Sequence, residues 1–150
     1  MSTDVTMKTR PRLIGFLCEN GAYVFYDISN PARRRRLPGN FLGLPITGIC
    51  QVRTREVLKA FLSGAEGVLV AGCEACQRQQ DQAQIERRFS EIQQTLVRLG
   101  IDRRRLRVEW ISATEERKFL SVVNAMMENL QGLPVLKLPA GHGKNLVYCG

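Results

Sequence analysis

The chain has 150 residues, 44% of them hydrophobic, with five cysteines, one histidine and a net charge of +8. That is enough to bury one substantial core and too little for two conventional domains. No charged-then-apolar leader opens the chain, and no apolar run approaches the roughly 18 residues of a membrane helix, so the expectation is a cytoplasmic protein without direct membrane insertion, its thiols reduced or metal-bound. The excess of 22 Lys and Arg over 14 Asp and Glu invites a nucleic-acid reading. However, the basic runs at 33–36 and 103–105 are not interleaved with aromatic residues and form no nucleic-acid motif, so they read as solvated loops or as a docking surface for an acidic protein.

Residues 1–11 are polar and expected to fray. A first strand is predicted over residues 12–17, closing on Cys18, with Glu19-Asn20-Gly21 as a turn. Residues 22–43 send two signals: Tyr23-Val24-Phe25-Tyr26 looks extended, while a position after a first parallel strand favours a crossover helix. Asn30-Pro31 and Leu37-Pro38-Gly39-Asn40 break any helix there. A second strand, Pro45-Ile46-Thr47-Gly48-Ile49, closes on Cys50. Thr54 is suited to cap a helix over 55–62, whose Val57, Leu58 and Phe61 form an apolar stripe, and Gly64 ends it.

The third strand, Val68-Leu69-Val70, is apolar throughout, as in a parallel sheet covered on both faces. Gly72 then turns the chain, and Cys73 and Cys76 fall in the loop beyond the strand's carboxyl end, where open α/β sheets place their ligands. A long helix is predicted over 79–99 with Ile85, Phe89, Ile92, Leu96 and Leu99 on one side and Gly100 after it. Residues 106–111 alternate apolar and charged side chains, as an edge strand with one wet face does. Ser112 or Thr114 caps a last helix to about Leu130. Residues 131–150, interrupted by Leu133-Pro134, read as a C-terminal tail or docking arm in which Cys149 is incidental.

Alternating strands and helices predict an α/β fold: a small three-layer, doubly wound parallel sheet of four strands in the order 2-1-3-4. Residues 1–130 would form the body. That order sets the carboxyl ends of strands one, two and three side by side, with Cys18, Cys50, Cys73 and Cys76 at one sheet edge.

His142, the one histidine, lies in the tail, which excludes a Cys-His or Ser-His pair in the core and a Cys2His2 zinc finger. Gly141-His142-Gly143-Lys144-Asn145 lacks the first glycine and the Ser or Thr of a phosphate loop. Four readings of the cysteines stay open on spacing alone. The four thiolates can hold an iron-sulfur cluster or a structural zinc. Cys73-Glu74-Ala75-Cys76 before a helix has the spacing of a thioredoxin-like dithiol, and Cys18 and Cys50 can be small buried hydrophobes.

The stretches Leu58-Lys59-Ala60-Phe61, Gly64 to Cys73, Gly100-Ile101-Asp102, Arg105-Leu106-Arg107 and Glu109-Trp110-Ile111-Ser112-Ala113 resemble the delta subunit of methyl-viologen-reducing hydrogenase, over about residues 12–130. The resemblance implies a non-catalytic iron-sulfur subunit carrying a two-iron, two-sulfide (2Fe-2S) cluster. Such a protein passes electrons between a hydrogenase or formate dehydrogenase and a heterodisulfide reductase-like flavoprotein subunit, and related subunits occur in benzoyl-CoA reductase assemblies. It implies Cys18, Cys50, Cys73 and Cys76 as the cluster ligands. Two positions depart from the family pattern: Gly21 stands where a further cysteine is usual, and two residues rather than four separate Cys73 from Cys76. The alternative retained is a structural adaptor with zinc, an empty cysteine site, or a Cys73/Cys76 dithiol.

Overall fold

The computed structural model describes residues 11–26, 31–79 and 81–138. Four strands form one all-parallel sheet: β1 (Leu13–Cys18), β2 (Phe41–Ile46), β3 (Gly67–Gly72) and β4 (Leu106–Trp110), in the order β2-β1-β3-β4. Five helices accompany it: α1 (Pro31–Arg34), α2 (Thr54–Leu62), α3 (Glu74–Gln79), α4 (Gln82–Arg98) and α5 (Glu116–Gln131). Short 3-10 turns at Ala22–Phe25, Ile49–Gln51 and Arg103–Arg105 complete the connections. This is the predicted α/β architecture and strand order.

The sheet is buried from both sides because both of its faces are apolar. Every residue of β3 is buried, and its alternate side chains serve two separate cores. Val68 and Val70 pack with the stripes of α2 (Val57, Leu58, Phe61) and α4 (Ile85, Phe89, Ile92, Leu96). Leu69 and Ala71 pack with α5 (Phe119, Val122, Val123, Met126, Leu130) and with Phe25 and Tyr26. Period two along the strand meeting period 3.6 along the helices makes the third layer possible. On the α5 side, Phe119 has its ring centroid 5.8 Å from that of Phe25 and 5.9 Å from that of Phe41.

Several elements differ from their sequence readings. The second strand runs over Phe41–Ile46 rather than closing on Cys50, and the chain after it tightens into the turn Ile49–Gln51. As a sheet edge, β2 leaves Leu42 and Leu44 exposed and tolerates Pro45, whose missing N–H costs little there. Residues 22–25 are a 3-10 turn rather than a strand or a full crossover helix. The helix predicted over 79–99 runs over Gln82–Arg98, capped by Asp81, whose carboxylate accepts the Ala83 N–H at 3.0 Å. The segment read as a loop holding Cys73 and Cys76 is instead a separate helix, α3, that begins directly after Cys73. Thr54 is the first residue of α2, and the Glu56 carboxylate reaches back to the Arg53 N–H at 3.0 Å. Similarly, α5 starts at Glu116, with Glu115 accepting the Ser112 N–H. β4 is an edge strand, as expected, but residues 107–110 are half-buried on both of its faces rather than wet on one.

Candidate metal centre

Parallel pairing of β1 and β3 sets Leu17 opposite Ala71, so both strands end together and deliver Cys18 and Cys73 to the same place. Gly72, the last residue of β3, passes under Trp110, where a Cβ would meet the indole at 2.6 Å. Cys73 then begins a helical turn. Its carbonyl accepts the Cys76 N–H at 3.1 Å, and this turn folds the Cys76 side chain back over the strand ends. The three sulfurs form a closed triangle: Sγ of Cys18 lies 3.2 Å from that of Cys73 and 3.9 Å from that of Cys76, and the last two are 3.8 Å apart. All three residues are buried.

The group is enclosed by backbone. The Ile49 N–H donates to Cys76 Sγ at 3.4 Å. On the other side Gly21 pairs with Ser112 in an antiparallel bridge. A Cβ at Gly21 would stand 2.6 Å from the Ile111 carbonyl oxygen and 3.0 Å from Cys73 Cβ. Only a residue without a side chain lets the loop after β1 lie this close to the thiols.

Burial and mutual hydrogen bonding divide the protons unequally. The Cys18 thiol is pushed up to about 12, first by burial and next by the hydrogen bond it donates to Cys73. At Cys73 burial also opposes ionisation. The bond from Cys18 and the bonds from the Cys76 and Ala75 backbone and the Cys76 side chain outweigh it and set the thiol below its ordinary value. Cys73 therefore carries negative charge before Cys18, its donor.

Cys50 is not in the triangle. Because β2 ends at Ile46, Cys50 lies in the middle of the turn Ile49–Gln51, exposed, while its neighbour Ile49 touches Cys76 through its amide. The four-way convergence expected from strand ends is thus a three-way convergence, with the fourth thiol on a turn that contacts it. Cys149 and His142 lie outside the described residues.

Sequence reasoning missed the residue that holds this turn. Arg88 of α4 donates from Nη2 to the Cys50 carbonyl at 2.8 Å and to the Val52 carbonyl at 3.0 Å. In the sequence it is one polar position in a long polar helix, and only its place directly before buried Phe89 sets it beside the core. The basic run at 103–105 also differs from its reading. Arg105 is buried, donating to the Glu66 and Pro134 carbonyls and lying 3.7 Å from the Glu66 carboxylate, and Arg104 pairs with Asp102 at 2.8 Å.

Chemically, three buried soft donors within 3.9 Å of one another are a ligand set for zinc, copper(I) or an iron-sulfur centre rather than for a hard cation. Among the described residues they are the only such group of metal-binding side chains. A cleft of about 680 Å³ opens at the opposite, amino-terminal end of β1 and β2 beside Arg12, Asn40 and Gly64, away from the thiols. No described helix is long and apolar enough to cross a membrane.

Residues 13–134 match the family of the methyl-viologen-reducing hydrogenase, delta subunit. The vhc iron-sulfur subunit of the F420-non-reducing hydrogenase of Methanococcus voltae is 30% identical, over 89% of this chain and 94% of its own length. The vhu iron-sulfur subunit of the F420-non-reducing hydrogenase of Methanocaldococcus jannaschii is 31% identical, over 82% of this chain and 92% of its own. One component of the ferredoxin/F(420)H(2)-dependent CoB-CoM heterodisulfide reductase of Methanosarcina acetivorans is 31% identical over 81% of this chain. This chain spans only 15% of that larger protein.

Proposed function

Since the chain belongs to the family of methyl-viologen-reducing hydrogenase delta subunits, we propose that it is the iron-sulfur electron-transfer subunit of a hydrogenase- or heterodisulfide reductase-type complex. In this reading Cys18, Cys73 and Cys76 are three ligands of a 2Fe-2S cluster and Cys50 is the fourth. The observation that carries it is the buried triangle of thiols at the carboxyl edge of the sheet. The donor set fits the group: sulfur alone, three of the four shielded from water, one thiol already below its ordinary ionisation range, and a backbone N–H on a ligand sulfur. Such features set the potential of thiolate-ligated iron.

A bound cluster would supply one-electron storage. This chain's residues would hold it, keep water away and present it at a sheet edge. Cys73 loses its proton more readily than Cys18, and Cys18 must release the proton it donates to Cys73, so loading releases protons and becomes easier with rising pH. The Ile49 N–H stabilises negative charge on Cys76 sulfur.

The electron partners in this reading are a hydrogenase- or formate dehydrogenase-type module and a heterodisulfide reductase-like flavoprotein subunit. Residues 1–130 would be the electron-transfer body and 131–150 a docking arm. The arm is rooted on the body: Leu133 is buried and the Pro134 carbonyl accepts from Arg105.

One observation favours a second reading. Two of the three sulfur separations, 3.9 and 3.8 Å, lie close to the edge of about 3.8 Å that a tetrahedron has around an ion with metal-sulfur bonds of about 2.3 Å, as a single zinc would require, and the third is shorter at 3.2 Å. Chain purified without oxygen separates the two. An iron-sulfur relay gives a brown protein whose visible absorption bleaches on one-electron reduction and returns on reoxidation. A colourless protein with no reversible bleaching contradicts the relay.

A further inference from the structure

The geometry points to Arg88 as the positioning residue of the thiol centre, acting through the turn that carries Cys50. The inference rests on the reading of the thiols as a metal centre and adds the element that completes it. Two of the turn's carbonyls, those of Cys50 and Val52, accept from a single nitrogen of Arg88, at 2.8 and 3.0 Å. A guanidinium Nη carries two N–H bonds diverging in one plane, so it can bridge two carbonyls that a rotating ammonium would hold less rigidly.

The clamp is anchored. Arg88 lies between Ile85 and Phe89, both buried in the core against the sheet, so α4 cannot move its side chain away without opening that core. The turn's other restraints are the burial of Ile49 and Val52 in the core and bonds of its own, the Thr47 N–H to the Gln51 side chain and the Gln51 and Val52 N–H groups to the Gly48 and Ile49 carbonyls. Arg88 adds to these the hydrogen bonds from α4 that hold the turn's outer carbonyls.

That placement matters to the centre twice. The same turn aims the Ile49 N–H at Cys76 Sγ, and it carries the one described cysteine outside the triangle. A turn released from Arg88 would lose the hydrogen bond to a ligand sulfur and would spread the positions of Cys50 over a wider range. Outer-shell partners that orient metal ligands typically account for about 10- to 100-fold in metal affinity.

The test is anaerobic titration of the metal-free full chain with cobalt(II), which reports thiolate ligation by its charge-transfer absorption, alongside thermal unfolding of each metal-free variant. Four chains are compared: wild type, Arg88→Gln, Arg88→Lys and, as a control on an exposed neighbour of the same helix, Arg87→Gln. The expected result is a roughly 10- to 100-fold weaker cobalt affinity for Arg88→Gln, an intermediate value for Arg88→Lys, and wild-type affinity for Arg87→Gln.

A folded Arg88→Gln chain with wild-type affinity overturns the inference. So does a lowered melting temperature with unchanged affinity, because that is a structural role alone. Should Arg88→Gln fail to fold, Arg88→Lys decides: wild-type affinity overturns the proposal, and weaker binding by a folded chain supports it. A wild-type chain that binds no cobalt at all contradicts the metal-centre reading as well, which distinguishes that failure from a failure of Arg88 alone.

Discussion

At the scale of single residues the centre is a problem of sharing protons among sulfurs in a dry place. Cys18 is held neutral, up to about 12, by burial and by its bond to Cys73. A group whose folded value lies above its unfolded value of about 9 contributes stability that is complete below pH 9 and declines as pH rises toward 12, because the unfolded chain ionises first. Cys73, with its lowered value, behaves oppositely: its contribution is present above the unfolded value and is lost as pH falls through the folded one. The metal-free chain should therefore lose unfolding free energy between about pH 9 and 11 more steeply than its Cys18→Ala variant, measured by urea titration at each pH. Parallel slopes would mean the two thiols are not coupled as the structure has them. Cys18, Cys73 and Cys76 were legible as a group because each follows an apolar strand that ends abruptly. Cys50 was misplaced because Pro45-Ile46-Thr47-Gly48-Ile49 is as apolar as a strand, although its last residues coil. The Ile49 amide and the Arg88 clamp had no sequence signal, since one is backbone and the other is a charge in a charged helix.

At the scale of elements, the loop after β1 passes close against the end of β4. Gly21 has a negative φ, −138°, and what a side chain there would lack is space. Gly21→Ala would drive its methyl into the Ile111 carbonyl and Cys73 Cβ, neither the flexible end of a long side chain. The expected cost is about 1–3 kcal/mol, typical of overpacking, with weakened cobalt binding through displaced Cys73. A chain that melts and binds as wild type would show that the loop can yield freely. On the opposite face Phe119→Ala removes a fully buried ring between Phe25 and Phe41 and should cost about 3–5 kcal/mol by denaturant titration. Phe119 belongs to the core on the other face of the sheet from the thiols, so the folded fraction should keep its cobalt affinity. Helix stripes and buried strands were readable because periodicity survives any context. Boundaries were not: Asp81 caps α4 inside a run of polar residues where nothing marks a break, and β2 hides its register behind exposed Leu42 and Leu44.

The whole molecule presents one end of a parallel sheet to whatever approaches it, with helices covering both faces and the thiols at that end. Strand order 2-1-3-4 followed from the succession of strands and helices, and it brings β1 and β3 together as neighbours. The charge picture needed the structure. Arg105 is internal, Arg104 is engaged by Asp102 and Arg36 by Glu116, which leaves Arg35 and Arg103 among the exposed positions of the two runs. If these steer an acidic partner protein, association should slow several-fold between low and physiological salt while dissociation changes little, as surface charges act mainly on encounter. Stopped-flow mixing with the partner measures this, and a salt-independent rate would remove the steering role. The central claim, that Cys18, Cys50, Cys73 and Cys76 hold an iron-sulfur cluster, is tested most directly by iron, acid-labile sulfide and zinc analysis of the anaerobically purified chain. Two irons and two sulfides per chain, lost together in Cys18→Ser or Cys50→Ser, is the predicted result; one zinc per chain without sulfide would contradict it.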